Sequence, residues 1–413
     1  MAGPLDGMKV VEIGVAMAGP FCSMTLGDYG AQVIKVERIG VGDDSRYWGE
    51  GFHGVLAGYY ACTNRNKRGI AVDLKNPEGA ALVRRLVDQA DVLVDNYRVG
   101  ALARAGLDYE QLRETNPRLI YCSISGFGAT GPLSKRPAND LFMQAYTGGM
   151  SLTGEPDGGP VKMGPSVCDV TAGMMATIGV LLAVEARHRT GRGQRVDTSL
   201  LEGQISMLGQ HLTRLFATGE PPTRTGSAGL GGNPTYRAFE ACDGWLVIAC
   251  FNDRMFRDLC TVLDQQSWVT DERFQSNSSR TEHRDFLAAA IAQIIAKQPT
   301  AHWLEHFEAA GVPCSPINTL DRLVREEQLQ ARECLVDIDL PGLGSMRMGG
   351  LPVKLSETPG SVALHPPRLG QHTEVVLREI GLSASDIANL AERGVVATDA
   401  GWSAPNVPAN ASH

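Results

Sequence analysis

The chain has 413 residues, more than one hydrophobic core usually serves, so two or three domains are expected. Hydrophobic residues make up 43% and charged residues 20% of it, which excludes a disordered chain. A formal net charge of -8 argues against a nucleic-acid surface, and an anionic small molecule would have to be met by individual arginines.

The N-terminus, MAGPLDGMKVVEIG, reaches a strand-like run without a basic start and apolar core, so export is not expected. KVVEIG (9–14) reads as a buried strand, Pro20 to Gly30 as a short helix and VIKVE (33–37) as a second strand, together a βαβ unit. IAVDL (70–74), a helix over 78–90 opening after Asn76-Pro77, and DVLVDN (91–96) repeat the pattern, and LIYCSISGFG (119–128) adds a strand. Such alternation predicts a mostly parallel sheet with helices on both faces. The longest apolar run, 174–186, falls short of the roughly 18 residues of a membrane span, and no membrane anchor is expected.

GEPPTRTGSAGLGGNPTY (219–236) is too rich in Gly, Pro and Thr for a helix or strand and reads as linker and loop. YRAFEACDGWLVIAC then predicts a hairpin turning at Cys242-Asp243-Gly244, followed by helices to about residue 310. The expected division is a large domain over 1–215, linker and loop over 216–235, a small α+β domain over 236–325, a return to the large domain over 326–395 and a disordered tail over 396–413. Nine cysteines, scattered singly, fit reduced thiols in the cytoplasm better than a disulfide framework or zinc site.

The first βα turn, Gly14 to Gly19, is a natural phosphate site, yet it is neither GxGxxG nor a Walker loop. Glu37-Arg38 ends the second strand, where an acid would hold a ribose and an arginine an extra phosphate. Arg65, Lys67, Arg68, Lys75, Arg98 and Arg104 stand on or near later strand ends, each otherwise a plain surface charge. Asp169 precedes a long apolar segment, where it either caps the helix or serves as a partly buried functional carboxylate, the cap being favoured on spacing. Histidine spacing supports no metal site, and no GxSxG elbow is present.

The ordered phrases VVEIG, VIKVER, NRNKRGIAVDLKNPEG, DVLVDN, NPRLIYCSISGFGATGP, CDVTAG, RTGRGQRVDTSL and GVPCSPINTL closely resemble the class III (CaiB/BaiF) CoA-transferase family over residues 5–395. The resemblance implies a Rossmann-like large domain built from both chain ends, a small domain, and an interlocked homodimer. It implies that Asp169 is the nucleophile, that Arg38, Lys75, Asn96, Tyr97 and Arg104 contact coenzyme A, and that Gly229, Gly231 and Gly232 form a mobile lid. Met17, Pro137 and Asn139 depart from residues of formyl-CoA transferases, which counts against formyl-CoA and oxalate, and Met17, Asn139 and Asp140 are candidates for the substrate pocket. Arg46, His53, Arg65 and Arg237 are candidate cations for the far carboxylate of a dicarboxylate.

The expected activity is CoA transfer from an acyl-CoA such as succinyl-CoA to a dicarboxylic acid of the glutarate, itaconate, mesaconate or citramalate type, through an aspartyl anhydride and an aspartyl-CoA thioester. No permanently bound cofactor or metal is expected. Transfer within one dicarboxylate is an alternative. A 2-methylacyl-CoA racemase is disfavoured because Asn139 stands where that branch has a proton-accepting histidine. A CoA-binding protein without turnover, or a dehydrogenase, has against it Asp169 and the missing GxGxxG respectively.

Overall fold

The computed structural model describes residues 3–399 and 401, the backbone alone at Leu230. Strands β1 (Lys9–Ile13), β2 (Gln32–Glu37), β3 (Gly51–Phe52), β4 (Leu56–Ala57), β5 (Lys67–Val72), β6 (Val92–Asp95), β7 (Ile120–Ser125) and β8 (Arg195–Ser199) precede β9 (Tyr236–Ala241), β10 (Gly244–Ala249), β11 (Cys314–Pro316), β12 (Leu335–Leu340), β13 (Gly344–Gly349) and β14 (Val396–Ala397). The helices that bear on the site are α1 (Ala18–Asp28), α2 (Pro77–Val87), α3 (Asp140–Tyr146), α4 (Val167–Thr190) and α5 (Leu200–Met207).

The chain divides into two compact units, one of residues up to 147, 164–210 and 327 onward, the other of 148–163 and 211–326. The segment 148–163, expected in the large domain, thus belongs with the smaller unit, a detour that no composition shift marks.

The larger unit is built on a seven-stranded sheet in the order β14-β5-β2-β1-β6-β7-β8. Neighbours pair in parallel except β14, which runs antiparallel to β5 through Val396↔Val72. That pairing corrects the expectation of disorder from 396; the rest of the expected tail, from 402, lies outside the described residues. Strands covered on both faces read as near-continuous apolar runs, and here one face carries Leu93 and Tyr121 while the other packs Val92, Val94 and Cys122 against α1 and α4. Helix α2 starts as its sequence predicts: Asn76 accepts from the Glu78 amide and Pro77 takes the first helical position.

Helix α4 is long and apolar enough to cross a membrane by length and composition, longer than the apolar run in its sequence had indicated. In the fold Cys168, Ala172, Ala176 and Val180, four residues apart, are buried against the sheet. Met174, Ile178 and Leu182 on its other side are exposed.

The smaller unit holds a three-stranded antiparallel sheet, β11-β10-β9, whose hairpin pairs Ala241 with Gly244 around the loop Cys242-Asp243. Phe239, Leu246, Ile248, Phe256, Leu287 and Phe307 form its core.

Candidate active site

The sheet has its switch point between β1 and β6, where successive crossovers run to opposite sides and the strand-end loops part to leave a crevice. Arg38 directly follows β2, Lys75 stands three residues beyond β5, Tyr97 two beyond β6, and Arg104 lies on the short turn Leu102–Ala105. These four line one cleft of about 950 Å³, together with Glu37, Val72, Leu74 and Leu102. Lys75 and Arg104 are exposed, and their side chains have no hydrogen-bond or ion-pair partner among the described residues, so both charges are free for a phosphorylated ligand. Arg38 donates to the Gly42 carbonyl at 3.0 Å and pairs with Asp44 at its rim.

Asn96 is the exception among the expected CoA contacts. Its side chain faces the turn after β1, donating to the Val15 carbonyl at 2.8 Å and accepting from the Val15 amide at 2.9 Å. With both amide atoms so engaged, it ties the β6 loop to the β1 turn. Glu37 is also unavailable for a ribose, because it pairs with Arg46 at 2.7 Å and accepts from the Asp43 amide.

Beneath that turn lies a network that the sequence reading missed. Glu12, Lys35 and Lys67 sit inside β1, β2 and β5 with no exposed surface. Lys35 reaches Glu12 at 2.7 Å, Asp43 at 2.9 Å and the Gly14 carbonyl at 3.0 Å, while Lys67 pairs with the other Glu12 oxygen at 2.7 Å. Burial alone would raise the Asp43 carboxyl, but the Lys35 charge and hydrogen bonds from the Ala16 and Ser45 amides hold it down at about 2. Burial lowers Lys67 to about 8 against the pull of Glu12. Asp43 accepts from the Ala16 amide at 2.9 Å and so holds that residue at φ +63, a conformation unusual for alanine. The available signal was the placing of charged residues within strands that a parallel sheet buries on both faces.

Asp169 is not the helix cap that its spacing favoured. Helix α4 begins at Val167, Ser166 holds the cap position without a side-chain bond, and Asp169 lies within the first turn. The capping work is done from α3, where Asp140 accepts from the Cys168 amide at 2.8 Å and from the Gln144 side chain at 2.6 Å. The Asp169 carboxylate is partly buried and has no hydrogen-bond partner among the described residues. Burial, and then the neighbouring charge of Asp140, push it up to about 7. The Cys168 thiol is instead turned inward, 3.1 Å from Gln204 of α5, and burial raises it to about 12.

The first turns of α1 and α4 pack closely. A Cβ on Gly173, one turn beyond Asp169, would stand 2.9 Å from the Ala18 carbonyl oxygen. This brings Met17, partly buried just ahead of α1, to the Asp169 end of α4. Asn139 is exposed and caps α3, its Oδ1 accepting from the Phe142 amide at 3.0 Å.

The candidate cations for a far carboxylate are mostly engaged. Arg46 pairs with Glu37, and Arg65 is buried on Asp28 at 2.6 Å. His53 is exposed on the turn between β3 and β4, and Arg237 belongs to the smaller unit, over the Phe239 ring. Lys67 and Arg65, weighed as phosphate contacts, are likewise interior groups. Gly229, Gly231 and Gly232 also lie in the smaller unit; Gly231 and Gly232 take φ of +77 and +72, and the Gly229 amide donates to the Tyr236 carbonyl at 2.9 Å.

A parallel sheet with free cations lining a cleft at its strand ends, and on α4 a partly buried carboxylate with a raised pKa, make an α/β protein equipped to take a phosphorylated ligand. The chain matches CoA-transferase family III over residues 5–373, and it belongs to that family. It is similar to the succinyl-CoA:glutarate CoA-transferase of Homo sapiens, 36% identical over 95% of this chain and 90% of that one. It is also similar to the acetyl-CoA:oxalate CoA-transferase of Acetobacter aceti, 39% identical over 88% of this chain and 93% of that one. Among solved structures, a CaiB/BaiF family protein from Brucella suis is 37% identical, with a TM-score of 0.83 over 92% of this chain and all of that one.

Proposed function

We propose that the protein moves CoA from an acyl-CoA donor, succinyl-CoA foremost, to a dicarboxylic acid, with Asp169 as the nucleophile. The observation that carries this reading is the Asp169 carboxylate, which has no hydrogen-bond partner among the described residues and is raised to about 7. A carboxylate attacks a thioester adequately, and one lacking hydrogen bonds is the more nucleophilic.

Asp169 adds to the donor thioester carbonyl and expels CoA thiolate, leaving a mixed anhydride. The thiolate attacks the aspartyl carbonyl of that anhydride and releases the donor acid, leaving an aspartyl-CoA thioester. The acceptor carboxylate attacks this thioester, forming a second anhydride and thiolate. The thiolate then attacks the acceptor carbonyl, and Asp169 is regenerated. One thioester replaces another, so no ATP, metal or permanently bound cofactor enters. Arg38, Lys75, Tyr97 and Arg104 serve the CoA moiety, and Asn96 supports them through the turn. Within this reading Gly229, Gly231 and Gly232 form the lid that keeps water from the anhydride, and the positive φ of Gly231 and Gly232 supports a loop that depends on glycine.

Dicarboxylate acceptors are supported by the glutarate and oxalate named for the relatives, and the oxalate enzyme puts that acid back among the acceptors to be tested despite Met17 and Asn139. The exposed Met174, Ile178 and Leu182 on α4 support a homodimer, since such a stripe favours burial against a second copy. Free thiols at all nine cysteines fit the cytoplasm.

The test is to incubate the protein with succinyl-CoA, quench with hydroxylamine or borohydride, and map the adduct by peptide mass spectrometry. Modification of Asp169 supports the covalent route. An unmodified peptide during active turnover sinks it, and α-proton exchange on a branched acyl-CoA in its place would favour the racemase.

A further inference from the structure

On the face of the large sheet that carries Leu93 and Tyr121, opposite the face covered by α4, lies a second and smaller cavity of about 210 Å³. That volume is on the scale of a small organic acid. Asp95, the last residue of β6, forms part of its lining and is 4% exposed. Its Oδ1 accepts from the Tyr97 amide at 3.2 Å, and its Oδ2 makes no hydrogen bond among the described residues. Tyr121 and Ser123 of β7 stand on the same face, Ser123 directly paired with Asp95 and Tyr121 edge-on to Tyr109 at 6.0 Å.

The charges around this carboxylate sort into engaged and free. Asp108 accepts from the Gln111 amide at 2.9 Å, and Glu110 pairs with Arg113 at 3.1 Å. Arg98 and Arg195, also lining the cavity, are exposed and have no hydrogen-bond or ion-pair partner among the described residues. The atoms left without a hydrogen bond or ion pair of their own among the described residues are thus Asp95 Oδ2 and the two guanidinium groups. A buried carboxylate oxygen without a hydrogen bond is costly, and a cationic N–H donor satisfies it best. Burial raises Asp95 to about 6, against the smaller opposing pull of the Tyr121 and Ser123 hydroxyls, the Tyr97 amide and the Arg195 charge. Near pH 7.5 it is thus still mostly ionised, and a cationic donor at Oδ2 would add to what those groups supply.

We propose that this cavity binds an acidic α-amino acid, its ammonium group on Asp95 Oδ2 and its two carboxylates on Arg98 and Arg195. A simple dicarboxylate would satisfy the arginines and leave Asp95 facing another anion, and a lone cation would leave both guanidinium groups unmatched. The wall between this cavity and the CoA cleft is the segment 97–105. Tyr97, Ala101, Arg104 and Ala105 line the cleft, Arg98, Val99, Gly100 and Ala103 line the cavity, and Leu102 lines both. An occupant of the cavity would thus share that segment with CoA bound in the cleft.

Isothermal titration of the full protein with L-glutamate tests this. Running it on Asp169→Ala as well separates it from the proposed chemistry, since binding here needs no nucleophile. The expected result is one site of roughly millimolar affinity or tighter in both proteins, retained at saturating CoA. Asp95→Asn and Arg195→Ala should each weaken it tenfold or more; Arg195 is exposed, so its variant tests the site even if Asp95→Asn fails to fold. Glutarate, which lacks the ammonium group, should show no binding that depends on Arg195. Absence of glutamate binding, Arg195-dependent binding of glutarate as tight as that of glutamate, or displacement by CoA would each overturn the proposal.

Discussion

Replacing Asp169 by Asn should stabilise the protein at alkaline pH. The carboxyl rises from 3.8 to about 7 on folding, chiefly through burial and next through the charge of Asp140. Each pKa unit corresponds to about 1.36 kcal/mol, so a shift of roughly three units sets an upper bound of about 4 kcal/mol. Asp169 keeps some contact with solvent, and screening reduces this to about 2 kcal/mol. The sign follows from proton uptake: between the unfolded value near 4 and the folded value near 7, the folded chain binds more protons, so wild-type stability falls as pH rises through that window. The asparagine side chain would carry no charge and escape the loss. Thermal unfolding of wild type and Asp169→Asn at pH 8 and pH 4.5 is the assay. The variant should melt about two degrees higher at pH 8, with the gap closing at pH 4.5. A variant equally or less stable at pH 8 would refute the claim that the carboxylate is desolvated and uncompensated.

Asp140→Asn should move the acidic limb of the kcat/KM profile to lower pH, because removing a like charge eases ionisation of Asp169; burial, the larger cause, remains, so the move is partial, and an unshifted limb would count against the electrostatic link. Lys35→Met should destabilise by about 3–5 kcal/mol in urea unfolding, since it leaves the buried Asp43 carboxylate without its cation and Glu12 with Lys67 alone. Asn96→Ala should cost about 1–3 kcal/mol and raise the KM for acyl-CoA more than it lowers kcat, because it frees the Val15 turn without touching Asp169. Gly173→Ala places a Cβ 2.9 Å from the Ala18 carbonyl and should cost about 1–3 kcal/mol by parting α1 from α4, which the melting temperature will show.

The βα alternation was legible from KVVEI through IYCSIS because parallel strands buried on both faces are written as apolar runs. Strand ends were legible too, and with them Arg38, Lys75, Tyr97 and Arg104, which share a cleft by virtue of topology alone. What the sequence could not carry were choices between equivalent short-range roles. Asp169 and Asp140 both stand where a cap is plausible; only the packing of α3 beside α4 shows that Asp140 reaches across to the Cys168 amide and leaves Asp169 free. Asn96 follows a strand end just as Tyr97 does, yet the alternation of side chains along the chain turns the first to the Val15 backbone and the second to the cleft. Arg46 and Arg65 looked like cations available to a substrate carboxylate because their partners, Glu37 and Asp28, lie 9 and 37 residues away.

The buried charges acquire a purpose once the switch point is considered. A crevice opens there because the loops after β1 and β6 depart in opposite directions, and loops that part have few backbone partners of their own. The β1 turn must hold Ala16 at positive φ, a conformation that costs of the order of 1 kcal/mol or more unless its surroundings enforce it. Asp43 enforces it by accepting the Ala16 amide, and Asp43 stays ionised in the interior chiefly because Lys35 lies 2.9 Å away. Lys35 in turn is held by Glu12, whose second oxygen is matched by Lys67. Replaced by well-packed hydrophobic residues, these four could give an equally stable sheet, since buried ion pairs seldom add net stability. An apolar substitute, however, would offer nothing to the Ala16 amide or the Gly14 carbonyl. The network is therefore best understood as fixing the conformation of one turn, the turn that Asn96 ties to the CoA cleft on one side and that leads into α1, against which the Asp169 helix packs, on the other.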